Sequence, residues 1–362
     1  MTAIRVLLVS ANYRPSVGGI ERYVEILAHG LAERGHAVTV AACRTDGGAP
    51  REQDGAVEIV RLPATDVLHS GLGVPYPLPE PISATRTLRA LVSRVDVVNP
   101  QDALYATSPL TLALARRAKV PSVLTQHVAF VPQRHRALDV AEHAAIATVG
   151  RSARLATRVV AYNPAVADWA RTTWGLGDVA VLPPGVPAPP TVNRVEVRRE
   201  LGLPADRFLA LFVGRDVPKK GLDLFLAAHD PTYDLVALSD REAPQIRPFV
   251  EPAEFRRLLA SVDAFVLPSE GEGFPLALQE ALVSGIPAVV VRGPGYDRYL
   301  RDDEAMFVER DAGSIRTALK QLAGDESLRR TLSERGRAAG AREFAVDRFA
   351  AAYESLYSEL IA

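Results

Sequence analysis

Short, continuously apolar runs alternate along the chain with longer stretches in which apolar residues recur every three or four positions. The first run, Val6–Ser10, predicts a strand buried on both faces. A Gly18-Gly19 turn follows, and the apolar spacing over 20–31 predicts an amphipathic helix capped by Gly35. This alternation predicts a mostly parallel sheet covered by helices on both faces. Further strands in the first half are predicted at Val38–Ala41, Val57–Val60, Val95–Val98, Ser122–Thr125 and Val159–Ala161.

A proline-rich segment interrupts the alternation near the middle of the chain. Five prolines fall in the nine residues Leu182–Pro190, which can continue neither a helix nor a central strand. Because 362 residues exceed the size of most single cores, we interpret this segment as the linker between domains over 1–185 and 186–345. Residues 325–362 are predicted to be helical throughout. Strands of the second domain are predicted at Leu209–Val213, Leu235–Leu238, Ala264–Leu267, Ala288–Val291 and Met306–Val308.

Overall charge and cysteine content narrow the function classes. A net charge of −1 gives no electrostatic case for a nucleic-acid partner. Cys43 is the only cysteine, and no apolar run is long enough to span a bilayer, so the sequence predicts a cytoplasmic protein. Peripheral contact with the cytoplasmic face of a membrane stays open, because several arginines either face lipid phosphates or form a solvated helix face. These arginines are Arg134, Arg136, Arg151, Arg154 and Arg158.

Two glycine-containing loops are candidates for binding phosphate. Gly18 and Gly19 lie between a strand and a helix, where a helix start offers N–H groups and partial positive charge. The loop over 214–221 also follows a predicted strand, and its Arg215 and Lys220 side chains suit the adjacent phosphates of a diphosphate. Each loop has an ordinary alternative, a plain turn in the first case and a solvated basic turn in the second.

A pair of carboxylates marks a third candidate site. Glu272 lies in the loop after the strand Ala264–Leu267, and Glu280 lies within the helix that starts near Pro275. Carboxylates accept paired hydrogen bonds from vicinal hydroxyls, which sugars and riboses offer. Stabilisation of the helix dipole by acidic residues explains Glu272 equally well but does not explain Glu280.

Taken together, the three motifs resemble those of a known enzyme family. The Glu272-x7-Glu280 arrangement, the Val-Gly-Arg…Lys-Gly pattern at 213–221 and Gly-Gly-Ile-Glu-Arg-Tyr at 18–23 occur in the order found in retaining glycosyltransferases of the GT-B fold, family four. The resemblance covers essentially the whole chain. It implies an α/β protein of GT-B architecture, in which two Rossmann-like α/β/α domains face each other across a cleft. A C-terminal helix over 346–362 would cross back to the first domain.

The resemblance also implies how the donor's diphosphate is bound. Gly18 and Gly19 would offer backbone N–H groups from the first domain, and Arg215 and Lys220 would clamp the diphosphate from the second. Stabilisation of the leaving diphosphate by these groups would replace a divalent metal, so no metal and no cofactor are expected. The nucleotide-diphosphate sugar is itself a substrate.

Roles on the sugar and ribose follow from the same resemblance. Glu272 would contact hydroxyls of the transferred sugar, helped by the main-chain N–H groups of Phe274 and Leu276. Glu280 would hold the ribose. His127 ends a predicted strand where the family often has a histidine facing the donor sugar. A structural histidine is the alternative for this position.

The implied activity is transfer of a hexose-type sugar from a UDP- or GDP-linked donor to a hydroxyl, with retention of anomeric configuration. The acceptor would be a glycan, a lipid-linked molecule or a small molecule. Alternatives are a nucleotide-sugar epimerase or a phosphorylase on the same two-domain plan, or a nucleotide-sugar-binding protein without turnover. One departure from the family pattern is 99–101, Asn-Pro-Gln, where many relatives have histidines.

Overall fold

A computed structural model gives the fold of the chain as two compact units. Unit 1 comprises residues 1–185 together with 346–362, and unit 2 comprises residues 186–345. The structure describes residues 3–16, 18–44, 49–67, 76–129, 143–187, 189–270, 274–293, 296 and 299–362.

Unit 1 is built on a largely parallel sheet in which β1 is central. β1 pairs in parallel with β2 on one side and with β6 on the other. The strand order is β3-β4-β2-β1-β6, with β5 pairing to β4 and with β3 and β5 both antiparallel to β4. The strands are β1 (Arg5–Ser10), β2 (Ala37–Arg44), β3 (Arg51–Asp54), β4 (Val57–Thr65), β5 (Leu78–Pro79) and β6 (Val97–Pro100).

Three more parallel strands continue this layer beyond β6. They are β7 (Val123–Gln126), β8 (Arg158–Ala161) and β9 (Val179–Val181), in the order β7-β8-β9. Parallel bridges from Val98 to Ser122 and from Gln101 to Thr125 place β7 beside β6. The predicted strands of unit 1 are therefore confirmed. β3, β5 and β9 were not predicted. The exposed sequence of β3, Arg-Glu-Gln-Asp, carries no apolar signal, as is common for edge strands.

Helices cover the sheet of unit 1 because their apolar residues fall on one side. In α1, Tyr23, Val24, Leu27 and Leu31 are buried in the core shared with β1 and β2, and Gly35 follows the helix with φ of +88°. The helices of this part are α1 (Gly19–Glu33), α2 (Pro81–Val92), α3 (Thr107–Ala118) and α4 (Pro164–Trp174), with a 3-10 helix at Val149–Leu155.

Unit 2 contains one fully parallel sheet in the order β12-β11-β10-β13-β14-β15. The predicted strands 209–213, 264–267, 288–291 and 306–308 have the observed bounds. The strands are β10 (Leu209–Val213), β11 (Asp234–Leu238), β12 (Ile246–Arg247), β13 (Ala264–Leu267), β14 (Ala288–Val291) and β15 (Met306–Val308). The helices are α5 (Arg194–Glu200), α6 (Leu222–Ala227), α7 (Pro252–Ser261), α8 (Leu276–Val283), α9 (Ala312–Gly324) and α10 (Glu326–Phe344).

The prediction of an unbroken helix over 325–362 is wrong at Ala345. This residue is extended, with φ of −62° and ψ of 136°, and forms a parallel bridge with Val186. The backbone N–H of Val186 donates to the Phe344 carbonyl at 2.7 Å. Pairing with the linker therefore ends α10 and leaves α11 (Val346–Ile361) as a separate helix. An apolar periodicity cannot reveal such a break, because the periodicity resumes directly after it.

α11 packs against α1 within unit 1 and brings buried hydroxyl groups to the strand ends. The Tyr353 hydroxyl lies 2.8 Å from the Tyr23 hydroxyl and 2.9 Å from Thr125 Oγ1. The Tyr357 hydroxyl donates to Asn99 Oδ1 at 2.9 Å. These bonds satisfy polar groups that would otherwise be costly to bury. Among the described residues, no helix combines the length and apolar character needed to cross a bilayer.

Candidate functional site

The strand order places the candidate residues of unit 1 at a switch point. From β1 the chain moves to β2 on one side of the sheet, and later it returns to β6 on the other side. In open α/β sheets, ligands bind in the crevice at the carboxyl ends of such strands. The loop after β1 leads to Gly18 and Gly19, and the loop after β6 contains Asp102. The predicted phosphate-binding turn therefore lies where this fold binds ligands.

The N-terminus of α1 is occupied by a carboxylate of its own chain. Gly18 is the N-cap, and a Cβ placed on it would lie 2.2 Å from Oε2 of Glu21. The Glu21 carboxylate accepts hydrogen bonds from its own backbone N–H and from the Asn12 side chain, and burial raises its pKa. Gly19 has open space beside it. A phosphate approaching this helix start would therefore meet a negative charge at Gly18.

Asp102 fixes the backbone that carries His127. Asp102 is not glycine, yet it has φ of +59°, a conformation that non-glycine residues adopt mainly where surrounding bonds hold them. Its buried carboxylate accepts from the Leu104 N–H at 3.1 Å and the Gln126 amide at 2.9 Å. It also accepts from the N–H groups of His127 and Val128, and burial raises its pKa to about 6. Asp102 thus positions the segment directly after β7.

His127 is a buried, neutral imidazole. Its Nε2 lies 2.9 Å from Oε1 of Gln101, and the Tyr23 ring packs edge-on against it with centroids 4.6 Å apart. Burial lowers the pKa of His127 to about 3. At neutral pH this side chain can form hydrogen bonds but carries no positive charge. Tyr23 belongs to α1, so the structure brings His127 close to the helix that Gly18 and Gly19 begin.

In unit 2 the two remaining motifs meet at the second switch point. β11 lies on one side of β10 and β13 on the other, so the loops after β10 and β13 border the crevice. The Lys219 carbonyl accepts from the Glu270 N–H at 2.9 Å. Gly221 has φ of +74°, and a Cβ placed on it would lie 2.8 Å from the Pro268 carbonyl oxygen. The structure thus brings the Arg215–Lys220 loop directly against the loop that leads to Glu272.

Two arginines that the sequence did not single out fix the 214–221 loop. Arg241, after β11, bonds both carboxylate oxygens of Asp216 at 2.8 and 2.6 Å. Arg310, after β15, donates to the Pro218 carbonyl at 2.7 Å and the Pro268 carbonyl at 3.2 Å. Both follow strands at the carboxyl edge of the sheet, which is the signal that sequence reasoning could have used.

The side chains within the 214–221 loop differ in exposure. Arg215 is exposed, whereas Lys220 is half-buried. The Lys220 stem passes over Gly214, whose Cβ, if present, would lie 3.5 Å from Lys220 Cδ. The loop therefore supplies one cation that is free to reach outward and one whose stem is held against the backbone.

α8 supplies the other predicted contacts. Leu276 is its first residue, so its N–H lies in the first turn, where helical N–H groups lack intrahelical partners. The Phe274 ring is buried and stacks on Phe344 at 4.9 Å, so only its main chain is suited to a ligand. Glu280 lies within α8 and is buried. Glu272 lies outside the described residues.

Family models match most of the chain. The model described as Glycosyltransferase Family 4 matches residues 17–188, and the model described as Glycosyl transferases group 1 matches residues 242–339. The chain belongs to glycosyltransferase family four.

Relatives with known names are glycosyltransferases of several kinds. The family-four chain is 29% identical over 404 residues to the D-inositol 3-phosphate glycosyltransferase of Geodermatophilus obscurus, covering 95% of this chain and 86% of the relative. It is 28% identical over 317 residues to the GDP-mannose-dependent alpha-mannosyltransferase of Corynebacterium glutamicum, covering 81% and 73%. Three other curated relatives are matched over about half of their length or less.

Solved structures identify the fold as GT-B. Sucrose-phosphate synthase from Thermosynechococcus elongatus matches with a TM-score of 0.74 at 18% identity, covering 98% of this chain and 99% of that one. The Anabaena protein HepE, in complex with UDP, matches with a TM-score of 0.72 at 15% identity, covering 99% and 100%. The expected α/β GT-B architecture is therefore confirmed.

Substitution of Glu21 tests whether the donor diphosphate contacts Gly18 and Gly19, as predicted from the sequence. If a donor diphosphate binds at Gly18 and Gly19, Glu21→Gln should tighten nucleotide-sugar binding about fivefold, because it removes a like charge worth on the order of 1 kcal/mol at a helix N-terminus. Calorimetric titration of the donor measures this change. Glu33→Gln, at the exposed end of the same helix, is the control and should leave the dissociation constant unchanged. Weaker binding by Glu21→Gln would instead indicate that this carboxylate contacts hydroxyls of the ligand.

Proposed function

We propose that this chain transfers a hexose-type sugar from a UDP- or GDP-linked donor to an acceptor hydroxyl, with retention of configuration and without a divalent metal. The observation that carries the proposal is the meeting of two loops at the β10/β13 switch point of unit 2. One loop carries Arg215 and Lys220, and the other leads through Glu272 to the start of α8. Cations and a helix N-terminus at one place suit a diphosphate, and nearby carboxylates suit hydroxyls.

The proposed chemistry depends on stabilising the departing diphosphate. As the bond from the anomeric carbon to the phosphate oxygen breaks, negative charge grows on that oxygen. Arg215 and Lys220 would stabilise this charge, because they are cations held on a loop that Arg241 and Arg310 fix before the reaction. Retention would follow from attack on the face that the diphosphate leaves, with the leaving phosphate accepting the acceptor's proton.

The sugar and the ribose would be held by groups that bind hydroxyls. Glu272 and the N–H of Leu276 would contact the transferred sugar, and the buried carboxylate of Glu280 would hold the ribose. We assign His127 a hydrogen bond to a sugar hydroxyl rather than proton transfer, because its pKa of about 3 keeps the ring neutral.

We propose that the hexose-type sugar of the donor is linked either to UDP or to GDP. One relative is named as GDP-mannose-dependent, and one protein of the same fold is solved with UDP. One relative is named as a D-inositol 3-phosphate glycosyltransferase, whereas the name of the mannosyltransferase gives no acceptor, so we propose only a hydroxyl of a glycan, a lipid-linked molecule or a small molecule. We place the reaction in the cytoplasm, because the single buried Cys43 fits a reducing compartment.

A thermal-shift screen of UDP-, GDP- and ADP-sugars tests this function. A donor that binds only the folded chain should stabilise it by about 2.7 kcal/mol at a concentration one hundred times its dissociation constant. The stabilising donor should then release its nucleoside diphosphate when acceptors are added. Formation of a free epimerised sugar nucleotide when no acceptor is present would favour the epimerase. Donor binding without turnover on a broad panel of acceptors would favour a nucleotide-sugar-binding protein without turnover. No shift with any sugar nucleotide would overturn the proposal.

A further inference from the structure

Two neighbouring helices of unit 1 carry an exposed surface with only one sign of charge. α2 and α3 pack together over a shared apolar core that includes Leu88, Leu91 and Leu114. Their outer surface and the residues just after them carry six exposed basic side chains, which we call the basic face. The basic face consists of Arg86, Arg89, Arg94, Arg116, Arg117 and Lys119.

Within the two helices, no acidic residue balances these cations. Neither α2 nor α3 contains Asp or Glu, although the whole chain has a net charge of −1. Within the part of the chain that the structure describes, none of the six side chains forms an ion pair or hydrogen bond. Other arginines of unit 1 do, as Arg5 pairs with Asp96 and Arg51 with Glu58. The basic face is therefore a local accumulation of unpaired charge.

Helix dipoles explain only part of this accumulation. Cations are favoured at the C-terminal end of a helix, which accounts for Arg89, Arg116 and Arg117 in the last turns and for Lys119 as the C-cap of α3. The same effect favours carboxylates at the helix start, where α2 has Glu80 as its N-cap but α3 has no acidic residue. Arg86 lies in the middle of α2, where the dipole has little effect.

An exposed apolar residue lies on the basic face itself. Ile82 is 73% exposed, which is high for a large apolar side chain. Ile82, Arg86 and Arg89 are spaced by four and three positions, so they lie on the same side of α2. Apolar residues flanked by cations are typical of surfaces that rest in the headgroup region of a bilayer. Neither helix contains an aromatic residue on which nucleic-acid bases could stack.

The basic face is separate from the candidate site of unit 1. Arg94 precedes β6 and Lys119 precedes β7, so both lie at the edge where these parallel strands begin. Asp102 and His127 follow the same two strands and lie at the edge where they end. Substitutions on the basic face can therefore leave the residues proposed for sugar transfer in place.

We propose that the basic face docks unit 1 onto a bilayer that contains anionic phospholipids. Lipid phosphates would neutralise the unpaired cations, and Ile82 would enter the interface between headgroups and acyl chains. The earlier sequence candidates do not form this surface. Arg154 donates to the Trp174 carbonyl, and Arg158 pairs with Asp178 and Glu359. Arg151 is exposed on the 3-10 helix Val149–Leu155, outside α2 and α3, and Arg134 and Arg136 lie outside the described residues.

Vesicle co-sedimentation of the full chain tests this docking. The chain should bind vesicles of phosphatidylcholine mixed with an equal amount of phosphatidylglycerol and should not bind pure phosphatidylcholine. Removing three cations as Arg86→Gln, Arg89→Gln and Arg117→Gln together should lower the partition coefficient on the order of 100-fold, at about fivefold for each basic residue near an anionic surface. Added salt should weaken the binding of the unmodified chain.

A charge-matched variant of unit 2 is the control. Lys320→Gln, Arg330→Gln and Arg335→Gln remove three exposed cations from α9 and α10 and should leave vesicle binding unchanged. Circular dichroism and donor binding establish that both triple variants are folded. Equal loss of binding in the control would overturn the proposal, as would binding to both vesicle types alike. Retention of the chain by a polyanion such as heparin, with no binding to anionic vesicles, would also overturn it.

Discussion

Lys220→Ala is expected to lower kcat on the order of 100-fold or more. The reason is the loss of a cation that stabilises charge growing on the departing diphosphate, an interaction of the size found when one transition-state donor is removed. Because the contact strengthens as the bond breaks, kcat should fall more than the affinity for the donor. Initial rates at saturating donor, combined with titration of the donor, separate the two effects.

Lys219→Ala is the matched control for this substitution. Lys219 adjoins Lys220, and Lys219→Ala removes the same charge. The Lys219 side chain is exposed, and the contact of this residue with the Glu270 N–H is made by its main-chain carbonyl. Its kcat should stay within about threefold of the unmodified enzyme, as expected for a screened surface charge. Similar losses in both variants would mean that the net charge of the loop matters and that Lys220 has no specific role. Unchanged kinetics of Lys220→Ala would refute its contact with the diphosphate.

Glu354→Ala is expected to destabilise unit 1 by about 3 kcal/mol. Glu354 on α11 is buried, and its carboxylate bonds Arg34 at 2.5 Å and lies 3.2 Å from Nε2 of the buried His36. His36 Nδ1 accepts from the Ile4 N–H, which leaves the ring proton on Nε2, facing the carboxylate. Removing one partner of a buried pair leaves the others without compensation, which is the costly case.

Tryptophan fluorescence during urea unfolding measures this loss. Trp169 and Trp174 are the two tryptophans of the chain and both lie on α4, so their signal reports unit 1. Glu359→Ala is the control on the same helix, because Glu359 is exposed and pairs with Arg158 at the surface. It should cost less than about 1 kcal/mol. Equal effects of the two substitutions would contradict a special role for Glu354 in holding α11.

The effect of Glu354 should also depend on pH. Burial acts to raise its pKa, but the bond to Arg34 and the contact with His36 outweigh it, so the pKa is lowered on folding. A carboxyl with a lowered pKa contributes its stability above the pKa of the unfolded chain, about 4.3, and loses it as pH falls through the folded value. The stability difference between Glu354→Ala and the unmodified chain should therefore be full at neutral pH and shrink below about pH 4.

Local pattern was sufficient for most elements and for the order of the motifs. A short, continuously apolar run such as Ala264–Leu267 indicates a strand buried on both faces, and the turn residues on either side mark its ends. For this reason four strands of unit 2 were predicted with their observed limits. β3 and the break at Ala345 were missed because charged edge strands and linker pairing leave no apolar signal. The site roles of Arg215, Lys220, Glu272 and Glu280 remain predictions from family resemblance.

The sequence by itself determined the alternation of strands and helices, because the apolar period is a local property of the chain. The GT-B fold and the family followed from the resemblance of its three ordered motifs to those of known glycosyltransferases. Only the tertiary structure decided which strands are neighbours, and so which loops meet at each switch point. It also decided that Arg241 and Arg310 fix the 214–221 loop, and that the cations of α2 and α3 lack partners while Arg158 is paired. These properties depend on distances between residues far apart in the chain, which periodicity and spacing do not encode.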